Sequence, residues 1–204
     1  MARRPSLILY ALIDITCQLF TTGARADGYY AGIVGGQSNF ETDISVSKSG
    51  TIDSKSSASY VFIGQEFANG TSVEGFYADL GKTKIIGKVG TTLKTGGKTY
   101  RFLKNATATA SATTFGIAGK YYVDLHTSTR LSGKLGIHSW DRKTSLIGTT
   151  ENVDISDDGV GAMAGLGIEF AASDKLTLMV GHDNFAVDDD NIAVSYLGLK
   201  VTFD

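Results

Sequence analysis

From residue 28 onward, apolar and polar residues alternate with a period of two along eight separate stretches, without the 3.6-residue period of an amphipathic helix. A period of two is typical of β-strands, because successive side chains point to opposite faces of a sheet. Most stretches exceed the 5–6 residues of an average soluble strand and match the ~9–11 residues of a membrane-crossing barrel strand. The predicted strands span residues 28–40, 58–67, 72–83, 112–124, 128–139, 159–171, 175–186 and 192–203.

The connections between these strands alternate between short and long. "ANGTS", "LHT" and "ASD" are short, and Asn69-Gly70 in the first of them favours a tight turn because both residues tolerate positive φ. The others are polar: the long segments 41–57, 84–111 and 140–158, and a short acidic "VDDD" before the last strand. Short turns at one end and long loops at the other are typical of outer-membrane barrels, whose long loops face outward from the cell.

Charged residues keep to one face of the alternating strands. In the fifth stretch Arg130 and Lys134 share a face opposite to Leu131 and Leu135, and in the last stretch Lys200 lies opposite to the apolar residues that end at Phe203. A soluble barrel would place its apolar face inside, whereas an Arg or Lys facing lipid near the midplane costs ~2–4 kcal/mol. The pattern therefore predicts an all-β fold, an eight-stranded antiparallel up-and-down transmembrane β-barrel with its charges inside.

Eight strands enclose an interior just wide enough for side chains to fill. The inward charges therefore need partners, and the sequence predicts a paired lumenal charge network in place of an open aqueous pore. Its predicted members are Glu74, Lys120, Arg130, Lys134, Glu169 and Lys200. A second set, predicted to face outward, supplies candidates for the aromatic girdles at the two membrane interfaces: Tyr30, Tyr60, Tyr77, Tyr121, Phe170 and Phe203.

The first 26 residues have the layout of a secretory signal peptide. Basic residues precede an apolar stretch, which Asp14 interrupts, and Ala24-Arg25-Ala26 matches an A-x-A cleavage site. We expect a signal peptide over 1–26 and a mature barrel over 27–204. The mature chain would lose Cys17, the only cysteine, and would carry 16 basic and 20 acidic residues, a net charge of −4. A weakly acidic chain without a basic tract argues against nucleic acid as a partner.

Several segments resemble the small outer-membrane β-barrel family of the OmpA-like transmembrane domain. They are "GYYAGIVGG", "VEGFYADLG" with Glu74, "RLSGKLG" with Lys134, "GLGIEFAASDKLTLMVGH" with Glu169, and the terminal "YLGLKVTF". The resemblance covers essentially the whole mature chain. It implies residence in outer-membrane lipid and recognition of the terminal aromatic Phe203 by the barrel-assembly machinery, although Asp204 follows it here.

Candidate chemistry is sparse. His126, His138 and His182 lack metal-ligand spacing, and the residues around His138 do not match a lipid-hydrolase motif. The acidic segments 154–159 and 187–191 lack the full ligand spacing of a calcium loop, so solvated loops are the better interpretation. We therefore predict no catalytic residue, no metal site and no cofactor.

Three functional hypotheses are compatible with the sequence. The first is a structural or adhesin-like surface protein of a Gram-negative outer membrane, whose loops 41–57 and 84–111 contact host, phage or neighbouring cells. The second is a small low-conductance channel gated by the lumenal ion pairs. The third, a soluble calycin-like carrier, is disfavoured by the inverted arrangement of apolar and charged faces.

Overall fold

The computed structural model describes residues 26–41, 45–47, 50–95, 98–147, 153–188 and 190–203. The predicted signal peptide, with Cys17, lies outside these residues apart from Ala26, which opens the first strand. Among the residues described, no helix is long and apolar enough to cross a membrane. The strands are β1 (Ala26–Glu41), β2 (Ser45–Val46), β3 (Gly50–Asp53), β4 (Lys55–Phe67), β5 (Thr71–Gly87), β6 (Thr92–Thr95), β7 (Lys98–Arg101), β8 (Ala106–His126), β9 (Thr129–Ile147), β10 (Val153–Ala171), β11 (Leu176–Val187) and β12 (Asp190–Phe203).

Eight of these strands close into an antiparallel barrel. Strand β1 pairs with both β4 and β12, β5 pairs with both β4 and β8, and β8 to β12 pair in chain order. The closure of the first strand on the last brings Tyr29 opposite Phe203. The predicted fold class is therefore confirmed, and the terminal strand seals what would otherwise be an open sheet edge.

The three short connections gather at one end of the barrel, which we call the turn end, and the opposite end is the loop end. At the turn end, the side chain of Asn69 accepts a hydrogen bond of 3.1 Å from the Thr71 amide, and Gly70 has a φ of 75°. These features confirm the tight turn that the Asn-Gly pair predicts. At the loop end, β2, β6 and β7 form a separate three-stranded sheet, and β3 extends the ladder of β5.

The barrel strands run farther toward the loop end than the sequence predicts. Segments 55–57, 84–87, 106–111, 140–147 and 153–158, predicted as loops, are ladder-paired strand. Outside lipid both faces of a strand contact water, so the hydrophobic alternation disappears from the sequence while the backbone hydrogen bonds continue. Consequently β8 reaches 21 residues and β9 and β10 reach 19 each.

The outward face is apolar, as predicted. Leu135 is 72% exposed and Leu166 is 66% exposed, while most charged residues of the barrel's membrane half face the lumen. Four of the six predicted girdle aromatics also face outward: Tyr77, Tyr121, Phe170 and Phe203.

The outward assignment of Tyr30 and Tyr60 is wrong, because these side chains are only 1% and 4% exposed. Two tyrosines are adjacent in β1, so alternation alone does not show which of them faces lipid, and the structure places Tyr29 outside. In β4 the lipid-facing position next to Tyr60 belongs to Val61. Both buried tyrosines instead contribute hydroxyl groups to the lumen.

Candidate functional site

All six residues of the predicted charge network point into the turn-end half of the lumen. Five of them are at most 6% exposed, and the sixth, Arg130, is nearest the turn end with 23% of its side chain exposed. Neighbouring strands bring them together because residues of equal parity on adjacent strands share one face, as Glu169 of β10 and Arg130 of β9 do in direct register.

Glu169 is the centre of the cluster nearest the turn end. Its carboxylate accepts hydrogen bonds from Lys120 at 2.8 Å, from Arg130 at 3.1 Å and from Lys200 at 2.5 Å. Arg130 also forms a two-pronged ion pair with Glu66. Three cations therefore share the two carboxylates of Glu66 and Glu169.

Glu74 is the centre of a second cluster, deeper in the barrel. It lies 3.3 Å from the ammonium of Lys134 and 3.6 Å from that of Lys120. Lys134 is closer still to Asp183, at 2.7 Å. Because Lys120 contacts both Glu74 and Glu169, it joins the two clusters into one continuous network.

Sequence reasoning missed two members, Glu66 and Asp183. Including them, four carboxylates face four cations, so the network has no net charge. Asp183 has the parity opposite to the lipid-facing residues of β11, such as Val180, and this signal would have identified it. Gly165 makes room for its carboxylate, since a Cβ at position 165 would overlap Asp183 Oδ1.

Tyrosines surround the charged groups and fill the remaining space. The Tyr30 hydroxyl donates to Ser72 at 3.0 Å, and the Tyr60 hydroxyl donates to Asp183 at 2.9 Å. The guanidinium of Arg130 lies 3.9 Å from the ring centroid of Tyr122, within cation–π range. These contacts satisfy buried charges that would otherwise be costly in a water-poor interior.

The loop-end half of the lumen is mainly apolar. Phe76 and Phe185 pack edge to face with ring centroids 6.0 Å apart, and His138 packs against Phe185 at 5.4 Å. His138 is buried, and its Nδ1 lies 2.7 Å from the Thr114 hydroxyl, where it forms part of the packing. We call this layer the apolar plug; its members are Val34, Phe40, Phe76, Leu80, Trp140, Met163, Phe185, Ile192 and Val194.

One side of the loop end carries cations that have no ion pair with any described residue. We call this set the basic rim, and all its side chains are exposed: Lys55, Lys82, Lys84, Lys88, Arg101 and Lys104. The segment 82–104 contains seven Lys or Arg residues and no Asp or Glu. The sequence shows no basic tract, because no two of these cations are adjacent. The segment folds back on itself, since β5 pairs with β8 and β6 pairs with β7.

The opposite side of the loop end is acidic. Arg142 contacts three carboxylates from two chain segments, Asp188 at 3.0 Å, Asp190 at 3.3 Å and Asp157 at 3.4 Å. The two acidic segments of the sequence thus meet around a cation. Within the described part of the chain, no group of three or more His, Cys, Asp or Glu side chains has the geometry to hold a metal ion.

Phe203 lies at the turn end of β12, faces outward and is 48% exposed. Asp204, which follows it, lies outside the described residues. The role of Phe203 in barrel assembly stays a prediction.

A closed barrel with an apolar exterior and an ion-paired interior defines a transmembrane protein of an outer membrane. The chain belongs to the family of OmpA-like transmembrane domains, whose family model matches residues 24–195. No curated protein sequence matches the chain.

Solved structures show the same fold at low sequence identity. Ail, the attachment invasion locus protein of Yersinia pestis, has 15% identity and a TM-score of 0.56, covering 86% of this chain and 99% of its own. Neisserial surface protein A has 13% identity and a TM-score of 0.52, covering 87% and 99%. OprG of Pseudomonas aeruginosa has 13% identity and a TM-score of 0.52, covering 88% and 98%. The chain is therefore an outer-membrane β-barrel, and the soluble-carrier hypothesis is abandoned.

Proposed function

We propose that this barrel is an adhesin-like surface protein whose basic rim binds polyanionic ligands outside the cell. The observation that carries the proposal is the surplus of positive charge on one side of the loop end, where six exposed cations form no ion pair with a described residue and one acidic residue, Asp53, lies opposite Lys84 in the β3–β5 ladder. Clustered charge of one sign raises the local concentration of an oppositely charged ligand and its association rate. Ail, which has the same fold, has been solved in complex with the heparin analogue sucrose octasulfate.

The length of the strands supports this proposal. Gly87 lies ten residues beyond the outward-facing Tyr77 on β5, which corresponds to roughly 33 Å along the strand, or about 25 Å along the barrel axis at a tilt of about 40°. The ladder of β5 and β8 continues to Gly87 and Ala106. Lys88 and Lys104 are therefore held well above the bilayer by paired strands.

The alternative hypothesis, a channel gated by lumenal ion pairs, has less support. Separation of Glu74 from Lys134 would open only the turn-end half of the lumen. The apolar plug above it is packed with aliphatic and aromatic side chains, and ions cross such a layer only after its side chains move apart. The barrel serves better as an anchor than as a conduit.

Binding of heparin by the protein in nanodiscs of neutral phospholipid tests the proposal. Changing Lys82, Lys84, Lys88 and Lys104 together to Gln removes four cations, and a loss of about 0.4 kcal/mol for each weakens binding at least about tenfold. The matched control is Lys143→Gln, which removes a loop-end lysine outside the basic rim whose ammonium lies 4.0 Å from Asp141, and this variant should bind as wild type does. Binding that is unchanged in the quadruple variant, or insensitive to salt, overturns the proposal.

Export and insertion are also proposals. An apolar stretch and an A-x-A site within 1–26 support removal of this segment as a signal peptide. The exposed terminal aromatic Phe203 supports recognition by the barrel-assembly machinery. N-terminal sequencing of the protein from outer membranes should give Asp27 as its first residue.

A further inference from the structure

A serine and a histidine are hydrogen-bonded on the outer wall of the barrel, away from both the lumen and the basic rim. His182 of β11 and Ser195 of β12 lie directly opposite each other in the ladder, and His182 Nδ1 is 2.9 Å from Ser195 Oγ. Both side chains are exposed. This is the contact between nucleophile and general base that activates a serine.

The pair lies where the outer wall changes from apolar to polar. Along β11 the outward residues Leu178 and Val180 are followed by His182 and Asn184, and along β12 Leu197 gives way to Ser195 toward the loop end. Such a change marks the boundary between acyl chains and headgroups, the level at which the ester bonds of membrane lipids lie.

An apolar groove of about 880 Å³ leads along the outer wall to His182. It follows one ladder row across neighbouring strands through Tyr121, Gly133 and Leu166. Glycines keep its floor open, since a Cβ at Gly119 would have no atom within 4 Å and one at Gly133 would meet only Leu166, at 3.9 Å. Three strand spacings give the row a length of roughly 14 Å, enough for much of one extended acyl chain.

A third polar residue flanks Ser195 on its other side. Gln37 of β1 is directly opposite Ser195 in the β1–β12 ladder and is exposed on the same face. Directly opposed residues have Cβ atoms about 4.5–5.5 Å apart, so the Gln37 amide is within reach of a group bound at Ser195. A glutamine amide is one of the donors that stabilise an oxyanion in acyl transfer.

We propose that Ser195, His182 and Gln37 form an acyl-hydrolase site for lipid esters, with the acyl chain held in the groove. The Ser195 oxygen attacks the ester carbonyl carbon while His182 takes its proton, and Gln37 donates a hydrogen bond to the oxyanion. The carbon–oxygen bond to the lipid alcohol breaks, and that alcohol leaves with the proton from His182. Water, deprotonated by His182, then attacks the acyl carbon; the bond to the serine oxygen breaks, His182 returns the proton to that oxygen, and a fatty acid is released.

Two measurements on the full chain purified from outer membranes test this activity. The first is labelling with a fluorophosphonate probe followed by mass spectrometry of the modified peptide, which should identify Ser195. The second is hydrolysis of p-nitrophenyl esters in detergent, which Ser195→Ala and His182→Ala should abolish. Gln37→Ala should lower kcat by about 10²-fold or more with little effect on KM.

A variant that fills the groove gives a separate test, because a change in selectivity between long and short acyl chains does not result from loss of folding. Gly133→Leu fills the groove and should lower kcat/KM for the palmitate ester at least tenfold while leaving the acetate ester within twofold. The matched control is Ser57→Ala, which removes the exposed outward serine opposite Gln37 in the β1–β4 ladder and should leave both rates unchanged. A heat-dependent gel shift verifies that every variant is folded. No labelling of Ser195, or hydrolysis equal to that of Ser195→Ala, overturns the proposal.

Discussion

Removal of one lumenal carboxylate should destabilise the barrel far more than removal of that carboxylate together with one of its cations. In Glu169→Gln, Lys120 keeps Glu74 at 3.6 Å and Arg130 keeps Glu66, but Lys200 keeps only Glu66 at 3.8 Å. Lys200 is 1% exposed, so its ammonium stays buried with one remaining and more distant carboxylate, that of Glu66, which Arg130 also binds. Breaking a buried ion pair in this way costs about 3–5 kcal/mol in the free energy of unfolding.

The double variant Glu169→Gln/Lys200→Met removes a charge of each sign and leaves the network neutral. Because an apolar replacement of a buried pair is often close to neutral in stability, we expect the double variant to recover about 2 kcal/mol of the single variant's loss. Urea unfolding, followed by the fluorescence of Trp140, measures the free energy of unfolding of the single and the double variant. Trp140 is a suitable probe because it is the only tryptophan and is buried in the apolar plug.

An exposed ion pair at the loop end provides the control for these single and double variants. Lys143 and Asp141 are 4.0 Å apart with side chains 73% and 49% exposed, so Lys143→Gln should change the free energy of unfolding by less than about 0.5 kcal/mol. A loss below about 1 kcal/mol for Glu169→Gln, or strictly additive losses in the double variant, would show that Glu169 and Lys200 are not coupled as a buried ion pair.

Three further predictions concern the plug, the packing of the network and assembly. In planar bilayers, Glu74→Ala alone should leave the single-channel conductance unchanged and should raise it only when combined with Phe185→Ala; an increase from Glu74→Ala alone contradicts the plug. Gly165→Ala should displace Asp183 and cost about 1–3 kcal/mol in urea unfolding, and unaltered stability would show that the close approach is unimportant. Phe203→Ala should lower the amount of heat-modifiable protein in outer membranes while the refolded protein keeps its stability; normal levels would exclude an assembly signal.

The membrane half of the barrel could be predicted because lipid imposes a simple rule on each strand. Apolar residues must face outward and charges inward, so the parity of Leu135 and Lys134 identifies both faces. Adjacent residues of one type escape this rule, which is why Tyr29 and Tyr30 were ambiguous. Asp183 could have been predicted, because the outward Leu178 and Val180 of the same strand show which parity faces lipid and Asp183 has the other parity.

The loop end could not be predicted in the same way. Water surrounds both faces of a strand there, so segment 106–111 carries no hydrophobic alternation although its backbone remains paired. Contacts between distant segments also leave no trace in local sequence. The contacts of Arg142 with three aspartates depend on how the strands of the barrel are aligned. The same is true of the contact between His182 and Ser195, and the spacing of these residues in the sequence predicts neither.

The proposed role of the basic rim is tested most directly by cell adhesion. Cells that display the wild-type barrel should adhere to a heparin-coated surface, and adhesion should fall as salt is raised. Cells that display equal amounts of the variant with Gln at positions 82, 84, 88 and 104 should not adhere above the level of cells lacking the protein. Equal adhesion of the two strains would show that the basic rim does not bind the polyanion and would place the function of the barrel elsewhere on its surface.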